Sequence, residues 1–151
     1  MKIRNDFVTN SSSSSFIVTF RNKEEMVKAK SDMFQFYSES VIDDVFSKIE
    51  AHRMTYSEVR KYYKESLKWI ARYDICYNNP EYRNKPYDWR ESEEYKRLEK
   101  DYIKRHLDFF DYSVNHRGIF AVIEYSDHTD SEMEHIIVPR LPFVFTTISN
   151  H

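Results

Sequence analysis

Apolar residues recur every three or four positions along most of the first two thirds of the chain, the spacing of amphipathic helices. A continuous apolar run, Phe16 to Phe20, precedes them and predicts a first strand. Asn22 and Ser38 are suitable N-caps for two helices, and the capping box Thr55-Tyr56-Ser57-Glu58 opens a third. A fourth helix is predicted from about Glu91 to Leu107.

The last third of the chain changes to strict alternation. Phe110, Tyr112 and Val114 alternate with other residues, and apolar positions alternate again over 119–125. Residues 115–118 lie between the two runs and have turn-forming character. Two alternating runs around a short turn predict a β-hairpin.

The remaining elements complete an α+β architecture. A second capping-box pattern predicts a short helix over 129–138 that ends at Pro139, and residues 143–149 predict a closing strand. We therefore expect an antiparallel sheet, made of the N-terminal strand, the hairpin and the C-terminal strand, packed against three to four helices. The length of 151 residues predicts one domain over 1–151. Residues 1–15 are interpreted as a polar, serine-rich lead-in with strand-edge or solvent-facing hydroxyls.

Charge and cysteine content restrict the setting. Charged residues make up 32% of the chain with both signs mixed, and the formal net charge is -2, so there is no global attraction to nucleic acid or an anionic membrane. The single Cys76 excludes an internal disulfide, and no apolar run approaches the roughly 18 residues of a membrane span. These features predict a cytoplasmic protein that does not bind a membrane.

Glycine scarcity excludes several enzyme classes. Gly118 is the one glycine of the sequence. Phosphate-binding loops, dinucleotide-binding turns and the nucleophile elbow of α/β hydrolases each need glycines where the backbone turns sharply or approaches a ligand. The sequence therefore carries none of these motifs and predicts no nucleotide cofactor.

Acidic and imidazole side chains concentrate between Glu124 and His135. Such ligands suit zinc, iron or manganese, although the spacing matches no established metal motif. The alternative interpretation is a helix N-terminus whose acids serve capping and dipole interactions. We expect no cofactor, with a divalent transition metal as the alternative. The candidate ligands are Asp127, His128, Glu134, His135 and His151.

Aromatic and cationic residues alternate between the third and fourth predicted helices. Tyr, Trp and Arg dominate protein-binding hot spots, whereas the same mixture can stack bases and neutralise phosphates of a single strand. A loop pinned to the core by its rings is the structural alternative. The slightly negative net charge favours a protein partner over nucleic acid. The candidate partner-binding residues are Trp69, Arg72, Tyr77, Tyr82, Arg83, Tyr87, Trp89 and Arg90.

The first eighteen residues read MKIRNDFVTNSSSSSFIV. They resemble the start of a scattered set of small, uncharacterised phage and bacterial proteins whose usual opening is F-V-S-N-S-S-S-S-S-F-I-V, with Thr9 here in place of serine. The ending Ser149-Asn150-His151 is similar to the ends of some of these proteins, where a histidine pair is frequent. The resemblance implies a phage or mobile-element origin and transfers no catalytic residue.

Together these features predict a binding protein more than an enzyme. The specific expectation is a phage or mobile-element accessory protein that binds a host protein and inhibits a host defence complex, in the manner of an anti-CRISPR protein. Two alternatives stay open: a metal-dependent enzyme that uses the C-terminal histidine and carboxylate cluster, and a single-stranded nucleic-acid binder.

Overall fold

The computed structural model describes residues 13–149, except for the side chains of 127–129. Two compact units make up the chain. Arg60–Asn115 forms one unit, and the chain before and after this segment forms the other, here called the sheet unit. The expectation of a single domain over 1–151 stays a prediction.

The sheet unit contains an antiparallel sheet, and the α+β class predicted from the sequence is confirmed. Its strands are β1 (Ser13–Phe20), β2 (Arg53–Met54), β3 (Ile119–Ser126) and β4 (Val144–Ser149). Their spatial order is β2-β3-β1-β4, and each neighbouring pair is antiparallel. The first strand therefore lies inside the sheet, with β3 and β4 on either side, which explains why seven of its eight residues are buried.

Helices α1 (Lys23–Met33) and α2 (Glu39–Ala51) pack on the sheet. Every second residue of β1 joins their apolar core, because successive side chains of a strand point to opposite faces. Phe20 is the centre of an aromatic cluster in this core. Its ring lies 4.9 Å from that of Phe143 and 6.2 Å from that of Phe46, measured between centroids.

Side-chain caps fix where the helices of the sheet unit begin. The Asn22 side-chain oxygen accepts a hydrogen bond from the Glu25 amide at 2.9 Å, and the Ser38 hydroxyl oxygen accepts one from the Val41 amide at 3.3 Å. Each cap satisfies a donor that the first helical turn leaves free. The predicted starts of α1 and α2 are confirmed.

The predicted capping box opens α3 (Tyr56–Tyr73). The Glu58 amide donates to the Thr55 hydroxyl oxygen at 3.1 Å, and the Thr55 amide donates to the Glu58 carboxylate at 2.8 Å. Both partners of the motif are therefore satisfied reciprocally, as the pattern predicts.

The prediction of a first hairpin strand at 110–114 is wrong, because helix α4 (Glu93–Ser113) extends to Ser113. Phe110 and Val114 are buried, whereas Tyr112 between them is 82% exposed. Positions 110 and 114 are four residues apart and therefore lie on the same helix face. The apparent alternation arose because this spacing fits a strand as well as a helix. The second predicted strand is present as β3, and its sheet partner is β1.

The lead-in interpretation of residues 1–15 is also wrong where it can be checked. Residues 1–12 lie outside the described range, but Ser13 to Ser15 belong to β1 and pair with β3. Ser14 and Ser15 are buried, not solvent-facing. The Ser14 hydroxyl donates to the carboxylate of Glu134 at 2.8 Å. A side chain 120 residues away therefore satisfies the buried hydroxyl of this serine.

The segment between β3 and β4 is helical but irregular. Helix α5 (Asp127–Glu132) has a kink at Asp130, and a π-helical turn, Met133–Ile137, and a 3-10 turn, Val138–Arg140, follow it. The prediction of one helix that Pro139 ends is therefore replaced by three short pieces. Pro139 lies in the first turn of the last piece, where its missing N–H costs nothing.

No helix within residues 13–149 combines the length and the apolar character that crossing a membrane requires.

Candidate functional site

The predicted partner-binding residues lie in the Arg60–Asn115 unit, beginning where α3 widens. A π-helical turn, Asp74–Asn78, continues α3 and buries Ile75 and Cys76. Tyr73 and Tyr77 lie on the outside, 56% and 52% exposed, with ring centroids 5.6 Å apart. Residues four apart share a helix face, so burial of one face presents these two phenols side by side to solvent.

Trp89 is held rigidly in the loop that follows. It belongs to a 3-10 turn, Tyr87–Glu91, and its indole stacks on Tyr82 at 5.0 Å with an interplanar angle of 18°. The Tyr95 ring packs against it edge-to-face, with centroids 5.5 Å apart, and the indole N–H donates to the Glu94 carboxylate at 2.9 Å. A ring with a stacked partner, an edge partner and a satisfied N–H fixes the loop that carries it.

Tyr87 and Arg90 stand beside this fixed ring. Tyr87 is 79% exposed, and the Arg90 guanidinium lies 4.2 Å from the centroid of its ring. Lys85 places its ammonium 5.7 Å from the Trp89 ring. These cation–π contacts are worth about 0.5–1 kcal/mol each at exposed sites and mainly set the orientation of the side chains.

Six of the eight predicted residues line one small cleft of about 50 Å³. We call it the aromatic cleft. The Arg83 Nε donates to the Tyr77 carbonyl oxygen at 3.3 Å and ties the two sides of the cleft together. Trp69 and Arg72, both exposed on α3, are not among its lining residues. The six shared residues are Tyr77, Tyr82, Arg83, Tyr87, Trp89 and Arg90.

The predicted partner-binding set omitted three of the lining residues, Cys76, Lys85 and Pro86. Pro86 lies at the N-terminal boundary of the 3-10 turn, with an extended backbone conformation. A proline directly before an aromatic run is a recognisable signal for such a turn, because its fixed φ suits the start of a helix. Pro86 therefore marks the start of the turn that carries Tyr87 and Trp89.

Cys76 is a structural residue of this unit. It is buried among apolar side chains. Burial raises the pKa of its thiol, and the nearby guanidinium of Arg90 opposes that shift only in part. A thiol that stays protonated is a poor nucleophile and a poor metal ligand.

Buried phenols give this unit a predicted weakness in alkali. Burial, reinforced by the hydrogen bond from its hydroxyl to Glu99, raises the pKa of Tyr95 to about 12. The folded state therefore holds this proton more tightly than an unfolded tyrosine with pKa near 10. The resulting stabilisation is complete below pH 10 and is lost as pH rises from about 10 to 12.

We expect stability to fall over that pH range, and Tyr95→Phe to flatten the slope. Denaturant unfolding followed by tryptophan fluorescence at several pH values measures the effect. Tyr112→Phe is the matched control, since Tyr112 is 82% exposed. An equal slope in the wild type and in Tyr95→Phe would contradict the assignment.

The candidate metal ligands are only partly within the described structure. The side chains of Asp127 and His128, and all of His151, lie outside it. Glu134 is buried and accepts from Ser14, and its other carboxylate oxygen lies 3.0 Å from Nε2 of His135. Among the residues described, no three His, Cys, Asp or Glu side chains converge in a metal-binding group. The metal hypothesis stays a prediction.

Comparison with known proteins adds no relative: no protein-family model, curated protein or solved structure matches this chain.

Proposed function

We propose that this protein acts by binding another protein through the aromatic cleft of the Arg60–Asn115 unit. The observation that carries the proposal is the placement of an exposed Tyr87, with Arg90 over its ring, beside a Trp89 that is locked by three contacts. Tyr, Trp and Arg are the residues that contribute most to protein interfaces.

Preorganisation makes such a surface effective. Trp89 and Tyr82 already occupy their stacked positions, so little side-chain entropy remains to be lost when a partner covers them. Immobilising a free side chain costs about 0.5–1.5 kcal/mol on binding, and the stacked pair avoids most of that cost. The exposed phenols of Tyr77 and Tyr87 supply apolar area and hydroxyl groups to the interface.

A protein partner fits the cleft better than a single-stranded nucleic acid. Base stacking needs a free ring face. Tyr82 covers one face of Trp89, the edge of Tyr95 lies against the same indole, and Lys85 lies nearby. The formal net charge of -2 also gives the chain no general attraction to phosphates.

The resemblance of the N-terminal residues extends the proposal. It supports a phage or mobile-element origin, and we infer that the bound protein belongs to a host defence complex that the chain inhibits. A small protein that blocks a larger complex needs a rigid binding surface and no catalytic centre. The aromatic cleft has the composition and the rigidity for that role.

Affinity capture with matched variants tests the proposal. Tyr87→Ala is expected to lower the affinity for the captured protein at least tenfold, because a central tyrosine of an interface is worth about 2 kcal/mol or more. Tyr112→Ala removes an equally exposed tyrosine, 82% against 79%, outside the cleft and is expected to bind as the wild type does. The bait is the full chain, and the lysate comes from its natural host.

Nuclease treatment separates the two kinds of partner. Capture that resists nuclease and is weakened by Tyr87→Ala alone supports the proposal. Capture of nucleic acid at low salt, or equal affinity of the two tyrosine variants for the same protein, would contradict it.

A further inference from the structure

The sheet unit contains a second concave site that is separate from the aromatic cleft. It is a cavity of about 470 Å³ that opens to solvent. Three stretches of chain far apart in sequence meet there: the end of β1 with α1 and the turn after it, the residue Arg117 before β3, and the segment Arg140–Phe143 before β4. Its volume lies within the range of about 300–1,000 Å³ that small-molecule sites occupy.

The interior of the cavity is apolar. Phe20, Met33, Leu141 and Phe143 line it and are each less than 10% exposed. Phe36 also lines the cavity, and 79% of its surface is exposed to solvent. An apolar ligand in the cavity would cover this ring and gain its hydrophobic contact.

The positively charged side chains that line the cavity outnumber the negatively charged ones. Lys28 forms an ion pair with Asp32 at 2.9 Å, and Arg117 forms one with Glu25 at 3.5 Å. Arg140 completes the set of charged lining residues. Within the described part of the chain its exposed guanidinium has neither an acidic partner nor a hydrogen bond. One cation is therefore left over, which matches a ligand with one negative charge.

We propose that this cavity binds a small molecule with an aromatic or alkyl body and a single carboxylate. The body lies against Phe20 and Phe143, beneath the ring of Phe36, and the carboxylate accepts hydrogen bonds from Arg140 at the mouth. A guanidinium matches the planar geometry of a carboxylate in a bidentate pair. A phosphate dianion fits less well, because the other two cations of the mouth already have carboxylate partners.

Calorimetric titration with two probes of equal shape tests this inference. The acid is 4-biphenylacetate and its neutral counterpart is 4-biphenylacetamide. We expect the acid to bind with 1:1 stoichiometry and about tenfold more tightly than the amide, since a hydrogen bond from a guanidinium to a carboxylate is stronger than one to a neutral amide, although solvent exposure weakens it. NMR titration of the labelled full chain should place the shifted amides around the cavity.

Three variants make the test specific. Arg140→Gln should weaken the acid about tenfold and leave the amide unchanged, so that the two probes become equal. Arg21→Gln, at an exposed cation that does not line the cavity, should change neither affinity. Ala29→Leu adds bulk to the cavity wall from a good helix former and should weaken both probes.

Each of the opposite results would overturn the inference. The acid would show no saturable binding, or the wild type would bind acid and amide equally. Alternatively, Arg140→Gln and Arg21→Gln would have equal effects, or Ala29→Leu would bind both probes as the wild type does. The proposal concerns the sheet unit alone, so failure of the partner-binding experiment leaves it standing, and the reverse also holds.

Discussion

Replacing Phe20 by alanine is expected to lower the free energy of unfolding of the sheet unit by about 3–5 kcal/mol. Phe20 is 1% exposed and joins β1 to the rings of Phe46 and Phe143. Truncation removes the transfer free energy of the ring and leaves a void that the surrounding strand and helices fill only in part. Since a typical domain is stable by about 5–15 kcal/mol, such a loss is a large part of the stability of the folded state.

Hydrogen exchange of the β1 and β3 amides measures this effect directly in the sheet unit. Both tryptophans, Trp69 and Trp89, lie in the other unit, so fluorescence alone is a poor probe of it. Phe36→Ala is the matched control, because Phe36 is 79% exposed and its loss should change stability by less than about 0.5 kcal/mol. Similar losses for the two phenylalanine variants would contradict the assignment of Phe20 to the core.

Trp89→Ala is expected to have the largest effect in the Arg60–Asn115 unit. Trp89 is half-buried, and its truncation removes the stack on Tyr82, the edge contact with Tyr95 and the hydrogen bond to Glu94. We expect a loss of about 2–4 kcal/mol, somewhat less than for a fully buried tryptophan. Because the loop then lacks its fixed point, partner affinity should fall further than in Tyr87→Ala.

The comparison variant is Trp69→Ala, the other tryptophan of the chain. Trp69 is 40% exposed and does not line the aromatic cleft, so a smaller loss of stability is expected. Amide exchange of residues 79–92 should accelerate in Trp89→Ala and stay close to the wild type in Trp69→Ala. Unchanged exchange in Trp89→Ala would show that the loop is held by other contacts.

Features that depend on a few neighbouring residues were predictable from the sequence. The caps at Asn22 and Ser38 and the capping box at Thr55 each involve partners three residues away, and all are confirmed. The fold class is predictable for the same reason, since helical and strand periodicity are local. The alternation at Phe110 to Val114 was misleading because Phe110 and Val114, four apart, fit the helical period as well as the strand period, and helix α4 extends to Ser113.

Long-range contacts were not predictable from local patterns. The serine run looked like a solvated lead-in, yet Ser14 is buried by pairing with β3 and by its bond to Glu134. The cavity likewise brings together residues far apart in the sequence, such as Phe20 and Leu141. By contrast, the six cleft residues lie within fourteen consecutive positions, 77–90, so composition alone was enough to find them.

Photocrosslinking from position 87 tests the central claim most directly. A benzophenone amino acid replaces Tyr87 in one variant and the equally exposed Tyr112 in another, and both are irradiated in the natural host cell. Binding through the aromatic cleft predicts a nuclease-resistant crosslink to one protein from position 87 and none from position 112. A crosslink to nucleic acid from position 87, no crosslink there, or the same product from both positions would contradict it.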